Sequence, residues 1–161
     1  IAATYSKSHL FTPAHEDEHY PTGTTPGIFS LSKVPFGIAI CYDLRFPGLF
    51  GTYARAGVCC MLVPAAWPAS RISHWELLLR ARAIEYQVYV MGVNPTGVTP
   101  VETYCGRSLA IDPSGTVVAE AGEEEALIPA VIDPEMVHRV REALPVYRNG
   151  LLDDFSENQA G

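Results

Sequence analysis

Three uninterrupted apolar runs leave this chain few architectures: FGIAIC ending at Cys41, VCCMLVPAAW from Val58 to Trp67, and VYVMGVN from Val88 to Asn94. Apolar runs without polar alternation suit strands covered on both faces, the situation of parallel strands held between other layers. The segments between them carry helical signals. LFGTYARAG closes on Gly57, a residue suited to the left-handed turn that ends a helix. HWELLLRARAIEYQ puts Trp75, Leu79, Ala83 and Tyr86 on one face, and Ser73-His74-Trp75-Glu76 has the spacing of a capping box at its start. Strand and helix therefore alternate through the middle of the chain, which predicts an α/β fold with a mixed sheet.

The flanks are richer in β signals. IAATYSK reads as a strand ending at Lys7, and a polar loop follows from Ser8 to Gly27. GIFSL and the run beginning at Phe36 are joined by the turn SKVP. CGRSLAIDP and TVVAEA form a hairpin through the turn DPSG. ALIPAVID is expected as an edge strand, the place where Pro129 is tolerated, and PEMVHRVREAL as a helix with proline at its first position. Together these make one domain over residues 1–150, with a loose polar tail over 151–161.

Composition limits the function. The 161 residues are 48% hydrophobic, enough for a core, and 11 basic against 18 acidic residues give a net charge of -7 with no basic run. Nucleic acid and anionic membrane are therefore poor partners. No apolar stretch reaches the roughly 18 residues of a membrane span, and IAATYSKSHL has no signal-peptide character, so a cytoplasmic protein is expected. Cys41, Cys59, Cys60 and Cys105 lack the spacing of metal ligands and are expected as reduced thiols.

The segment AHEDEHYP contains His15-Glu16-Asp17-Glu18-His19, which spells the zinc-protease pattern H-E-x-x-H. That pattern works only on a helix, where both histidines share a face beside the metal-bound water. Here Pro13 precedes it, and Pro21, Gly23, Pro26 and Gly27 follow, so a solvated surface loop without metal is predicted.

Cys41 stands at the carboxyl end of a buried strand, just before a turn into a helix. In α/β proteins ligands bind at that edge, and a nucleophile on such a turn is exposed while the next backbone N–H groups can hold an oxyanion. A buried structural cysteine is the alternative at this position, and it is the preferred reading for Cys59 and Cys60. A nucleophilic thiol needs a neighbouring base or cation, and Lys7 is a candidate. Trp67, after the second buried run, either walls a substrate pocket or packs. Asp43 and Arg45 are read as an ion pair steadying the turn, Glu76 as a capping residue or partner of Arg80, and Glu123-Glu124-Glu125 as a solvated turn.

Taken in order, YSKSHLF, GIAICYDLRFPG, HWELLLRARAIEYQVYVMGVN and CGRSLAIDPSG resemble the nitrilase superfamily of carbon-nitrogen hydrolases, especially its omega-amidase-like branch, from about Ile1 to Arg148. The resemblance implies an αββα sandwich, of which this chain would be the C-terminal part. It also implies a Glu-Lys-Cys triad needing no cofactor. The cysteine of C-Y-D-x-R-F-P falls on Cys41, the lysine of Y-x-K-x-H-L-F on Lys7, and a further loop glutamate on Glu16, which would position Lys7 or the substrate amide. His15 and His19 become incidental. The triad's own glutamate, the general base, belongs to a motif N-terminal to Ile1, and nothing in this sequence matches it. Gly48 replaces a glutamate common after the F-P pair, a change of packing.

The expected reaction is hydrolysis of a small linear amide, one bearing a carboxylate. Cys41 attacks, Lys7 and a backbone N–H near Tyr42 hold the oxyanion, ammonia leaves, and water opens the thioester. The expected partners are that substrate, water, and further copies of the chain in a homodimer or higher homo-oligomer. The alternative is an inactive nitrilase-like chain that serves as a binding or assembly partner.

Overall fold

The computed structural model describes residues 1–146, so the expected domain end at 150 and the tail over 151–161 lie outside the described residues. The three apolar runs become parallel neighbours at the centre of a six-stranded sheet. The first run supplies β2 (Val34–Ile38), which pairs in parallel with β3 (Cys60–Pro64), and β3 pairs in parallel with β4 (Tyr89–Val93). On one flank β1 (Gly27–Leu31) joins β2 as an antiparallel hairpin. Its two turn residues, Ser32 and Lys33, both have positive φ, 50° and 69°, which gives the turn the twist that matches a hairpin. On the other flank lie β7 (Leu109–Ile111) and β8 (Val117–Glu120), both antiparallel, so the sheet order is β1-β2-β3-β4-β7-β8. A separate ribbon, β5 (Thr96–Val98) with β6 (Thr103–Cys105), leaves the end of β4.

Two crossover helices connect the parallel strands: α2 (Pro47–Arg55) runs from β2 to β3, and α3 (Ile72–Tyr86) from β3 to β4. Period-two alternation then sorts the strand residues. Met61, Val63, Val90 and Ile111 pack with Phe50, Tyr53, Trp75, Leu79 and Ala83 of the helices, while Phe36, Cys60 and Tyr89 join Val137 of α4 (Pro134–Ala143). The helices sit close because the strands are cut back to glycine beneath them. A Cβ on Gly92 would lie 2.5 Å from Leu79 Cδ1 and 2.7 Å from Trp75 Cζ2.

The mixed α/β class is as the sequence predicts. The αββα sandwich needs a second main sheet, and among the described residues the second sheet is only the β5-β6 ribbon. The face of the main sheet away from α2 and α3 is partly open: Leu62 and Met91 are half-buried and Val93 is 62% exposed.

Several local expectations are corrected. Residues 1–7 are not a strand, because no described strand lies beside them to complete a ladder; side chains and single backbone bonds hold them instead. ALIPAVID forms no strand either: Pro129 offers no N–H, and Leu127 and Val131 are exposed. The capping box is absent, since a 3₁₀ turn over Ala69–Arg71 runs straight into α3 and puts Ser73 inside the first turn. Glu76 is therefore free to accept from Arg107 Nε at 2.7 Å rather than from Arg80. The end of α2 before Gly57 (φ 79°) and the start of α4 at Pro134, capped by the Asp133 side chain, match the sequence reading.

Candidate active site

The carboxyl ends of the three parallel strands meet at one edge. Cys41 follows β2, Ala66 and Trp67 follow β3, and Asn94 follows β4. Asn94 ties two of these ends together from a buried position: its Oδ1 accepts the Trp67 N–H at 2.6 Å, and its Nδ2 donates to the carbonyls of Trp67 at 3.1 Å and Gly106 at 2.8 Å.

Cys41 opens a 3₁₀ turn over Cys41–Arg45 with φ 48°, the left-handed region that a side-chain-bearing residue seldom adopts. The strain is held by Asp43. Its fully buried carboxylate accepts from Ile40 N, His9 N and the Tyr5 hydroxyl, each at 2.9 Å, and contacts His9 Nδ1 at the same distance. One side chain thus pins the cysteine turn to the Tyr5–His9 segment that carries Lys7. His9 is further fixed by stacking on Phe46, with ring centroids 3.8 Å apart. The expected Asp43–Arg45 pair does not form; Arg45 lies over the Trp67 ring, 4.6 Å from its centroid. A carboxylate with four donors around it does not need that cation, and the aromatic face takes it.

Lys7 Nζ donates to both oxygens of Glu16, at 2.9 and 2.6 Å, and the Phe11 N–H bonds Glu16 Oε2 at 2.8 Å. The backbone of this loop is drawn in by Gly23, whose N–H donates to the Lys7 carbonyl at 2.9 Å; a Cβ there would fall 2.0 Å from the Ser6 carbonyl oxygen. Burial raises the Glu16 pKa, but the Lys7 hydrogen bond, the Phe11 N–H and the Lys7 charge outweigh it and leave the carboxyl below its ordinary range.

The HEDEH segment is not the wholly irregular loop the sequence suggests. Residues Glu16–His19 form one helical turn, α1, with three acidic residues at its start, where they suit the exposed N–H groups. His15 stays outside that turn at φ 56° and bonds Glu18 through Nδ1 at 2.8 Å, so the two histidines are not presented together on a helical face. Glu16, the residue a zinc protease would use as its base, is committed to Lys7.

Lys7, Glu16 and Cys41 line one open cleft of about 1050 Å³, with Glu102 and Tyr104 from the β5-β6 ribbon on its wall. A smaller recess of about 50 Å³ adjoins it, bounded by Cys41, Tyr42, Arg45, Trp67 and Arg71. Tyr42 and Trp67 are both on this recess, although Trp67 is only 2% exposed and its Nε1 is used internally, donating to the Arg71 carbonyl at 2.8 Å. Its role is thus mostly to pack. Sequence reading missed Arg71, Asn94 and the ribbon residues, which lie in loops without periodicity or spacing to mark them.

The Cys41 thiol is pushed above the ordinary cysteine range, chiefly by burial and also by the Glu16 charge. Contacts with Ala66 and with the Tyr42 backbone, and the Lys7 charge, pull the other way. Alkylation of Cys41 by iodoacetamide, followed by mass spectrometry of its peptide, should therefore rise with pH along a curve above that of a free cysteine. Lys7→Met should move the curve higher, since it removes a cation that favours the thiolate. An inflection at or below the ordinary range would show that burial does not govern this thiol.

The sequence profile of the family described as "Carbon-nitrogen hydrolase" matches residues 1–142. This chain belongs to the carbon-nitrogen hydrolase family. Among similar proteins, the 2-oxoglutaramate amidase of Bacillus subtilis (strain 168) is 41% identical over 147 residues, covering 91% of this chain and 57% of its own length. The omega-amidase NIT3 of Saccharomyces cerevisiae is 38% identical over 165 residues, 97% of this chain and 57% of the relative. The crystal structure of S. cerevisiae Nit3, described as a member of branch 10 of the nitrilase superfamily, superposes with a TM-score of 0.79 at 40% identity, covering 86% of this chain and 51% of that one. A mutant amidase from Nesterenkonia sp. AN1 superposes at 0.75 with 27% identity, covering 91% and 56%; it carries the acetamide moiety of fluoroacetamide covalently added at its active-site cysteine. The chain thus spans little more than half the length of these relatives.

Proposed function

We propose that the protein hydrolyses the C–N bond of a small linear amide through a thioester on Cys41, releasing ammonia. The observation that carries this reading is the convergence of Cys41, at a strained turn ending a central parallel strand, with the Lys7–Glu16 pair in one open cleft. The names of the relatives, an omega-amidase and a 2-oxoglutaramate amidase, favour an amide that also bears a carboxylate.

In this reading the Cys41 sulfur adds to the amide carbonyl, and its electron pair moves to the oxygen. The Lys7 ammonium and the Tyr42 N–H stabilise that oxyanion, which collapses with loss of ammonia, and water then cleaves the thioester to the acid. Glu16 does not take the thiol proton, because both its oxygens are held by Lys7 and Phe11; it keeps Lys7 aimed into the cleft. The resemblance assigns the proton transfer to a glutamate N-terminal to the motifs present here. The protein works without a cofactor, in the cytoplasm, as a homodimer or higher homo-oligomer.

The test is direct. The intact protein should release ammonia from a panel of straight-chain amides, and a haloacetamide should leave a single adduct on the Cys41 peptide that abolishes turnover. Full turnover by protein carrying that adduct would overturn the reading.

A further inference from the structure

Hydrolysis of an amide requires no positive charge beyond the oxyanion site, yet the recess next to Cys41 holds two more. Arg45 and Arg71 both line it, and none of its lining residues is acidic, in a chain whose net charge is -7. Two arginines lining one small space put like charges near each other, an arrangement that an entering anion relieves.

The two arginines are not equivalent. Arg45 is committed to the face of Trp67. Arg71 has its backbone pinned on both sides, its N–H donating to the Pro68 carbonyl at 3.0 Å and its carbonyl accepting the Trp67 Nε1–H at 2.8 Å. Yet its guanidinium makes no hydrogen bond or ion pair with any described residue. The nearby acids do not satisfy it: Glu16 is held by Lys7, and Glu102, which lines the wide cleft, forms no ion pair with Arg71. Arg71 also lines that wide cleft together with Cys41 and Lys7, so it stands where the recess opens onto the nucleophile. The recess, about 50 Å³, is the size of a small terminal group and too small for a ring. A planar guanidinium with free donors matches a carboxylate through two parallel hydrogen bonds.

We infer that Arg71 is the specificity-determining residue that receives the carboxylate of the substrate, with Arg45 on the Trp67 ring as the second cation. The inference rests on the amidase reading above and names what that reading leaves open, the group that selects the far end of the substrate.

The experiment compares the wild-type protein with Arg71→Met and Arg71→Lys, using two amides: the monoamide of a straight-chain dicarboxylic acid, and the same molecule with its carboxylate as a methyl ester. The wild-type protein should prefer the acid. Arg71→Met should lower kcat/KM for the acid about 10- to 100-fold, the range for losing a hydrogen bond between charged groups, mainly through KM. The ester should change little, and Arg71→Lys should recover part of the loss. An equal fall on both substrates would make Arg71 a structural residue and overturn the assignment, as would no fall on either or no wild-type preference for the acid. A second measurement does not depend on turnover. Glutarate should slow alkylation of Cys41 by iodoacetamide in the wild-type protein and fail to do so in Arg71→Met. If neither amide is hydrolysed, the amidase reading falls by itself, while undiminished glutarate protection in Arg71→Met would overturn the role of Arg71.

Discussion

Cys41→Ala should lower kcat for ammonia release by at least about 1000-fold, the scale seen when a covalent nucleophile is removed, and should leave the unfolding transition close to that of the wild-type protein. The two halves of this expectation have separate causes. The sulfur is the only atom in the cleft that the proposed reaction joins covalently to substrate. The Cys41 thiol makes only weak contacts among the described residues, donating to the Ala66 carbonyl at 3.9 Å and meeting the Tyr42 backbone, so little packing is lost with it. The positive φ at this position stays as unfavourable for alanine as for cysteine, because Asp43 and its donors impose it on the turn. Ammonia release and chemical denaturation, measured on the same preparation, check both halves. Retained turnover would remove Cys41 from the chemistry, whereas a collapsed transition would make it a structural cysteine.

The largest effect on stability is expected at Trp75, where replacement by alanine should cost about 3–5 kcal/mol, the range for truncating a large buried aromatic. The indole is fully buried, lies 5.6 Å from the Trp67 ring, and rests on the backbone of β4 at Gly92. Its Nε1 donates to the Arg107 carbonyl at 2.8 Å, which would lose that donor in a part-buried setting. The truncation opens a cavity between α3 and the sheet directly beneath the strand ends that carry Trp67 and Asn94, so activity should fall along with stability. Urea denaturation gives the first quantity and ammonia release the second. A cost below about 1 kcal/mol would mean that the helix relaxes onto the sheet and fills the space.

What could be read in advance divides along physical lines. The three apolar runs announced β2, β3 and β4 through their short length and lack of polar alternation, although the face they were expected to bury away from α2 and α3 is partly open among the described residues. The helices α2, α3 and α4 followed from their intervening position, from Gly57 and from Pro134. Segments whose state depends on a partner were misread. IAATYSK and ALIPAVID have apolar content suited to strands, but a strand exists only with a ladder beside it, and no described strand offers one. Ser73 and Glu76 have capping-box spacing, but the 3₁₀ turn from Ala69 moved the helix start upstream of them, and Arg107, 31 residues away, took Glu76.

The site shows the same division. Cys41 could be found from its place at the end of an apolar run before a turn, and Lys7 and Glu16 from the motifs they belong to. Residue types and local spacing determined the α/β class, the parallel centre and the strand-end cysteine, since all three rest on short-range patterning and the burial it implies. Only the tertiary structure decided that Asp43 clamps the cysteine turn to the Lys7 segment, that Glu16 is consumed by Lys7, and that Arg71 has no anionic partner among the described residues. The clamp and the Lys7–Glu16 pair depend on distances between groups 9 to 38 residues apart in sequence. No local pattern encodes such distances, because the packing of the whole sheet sets them.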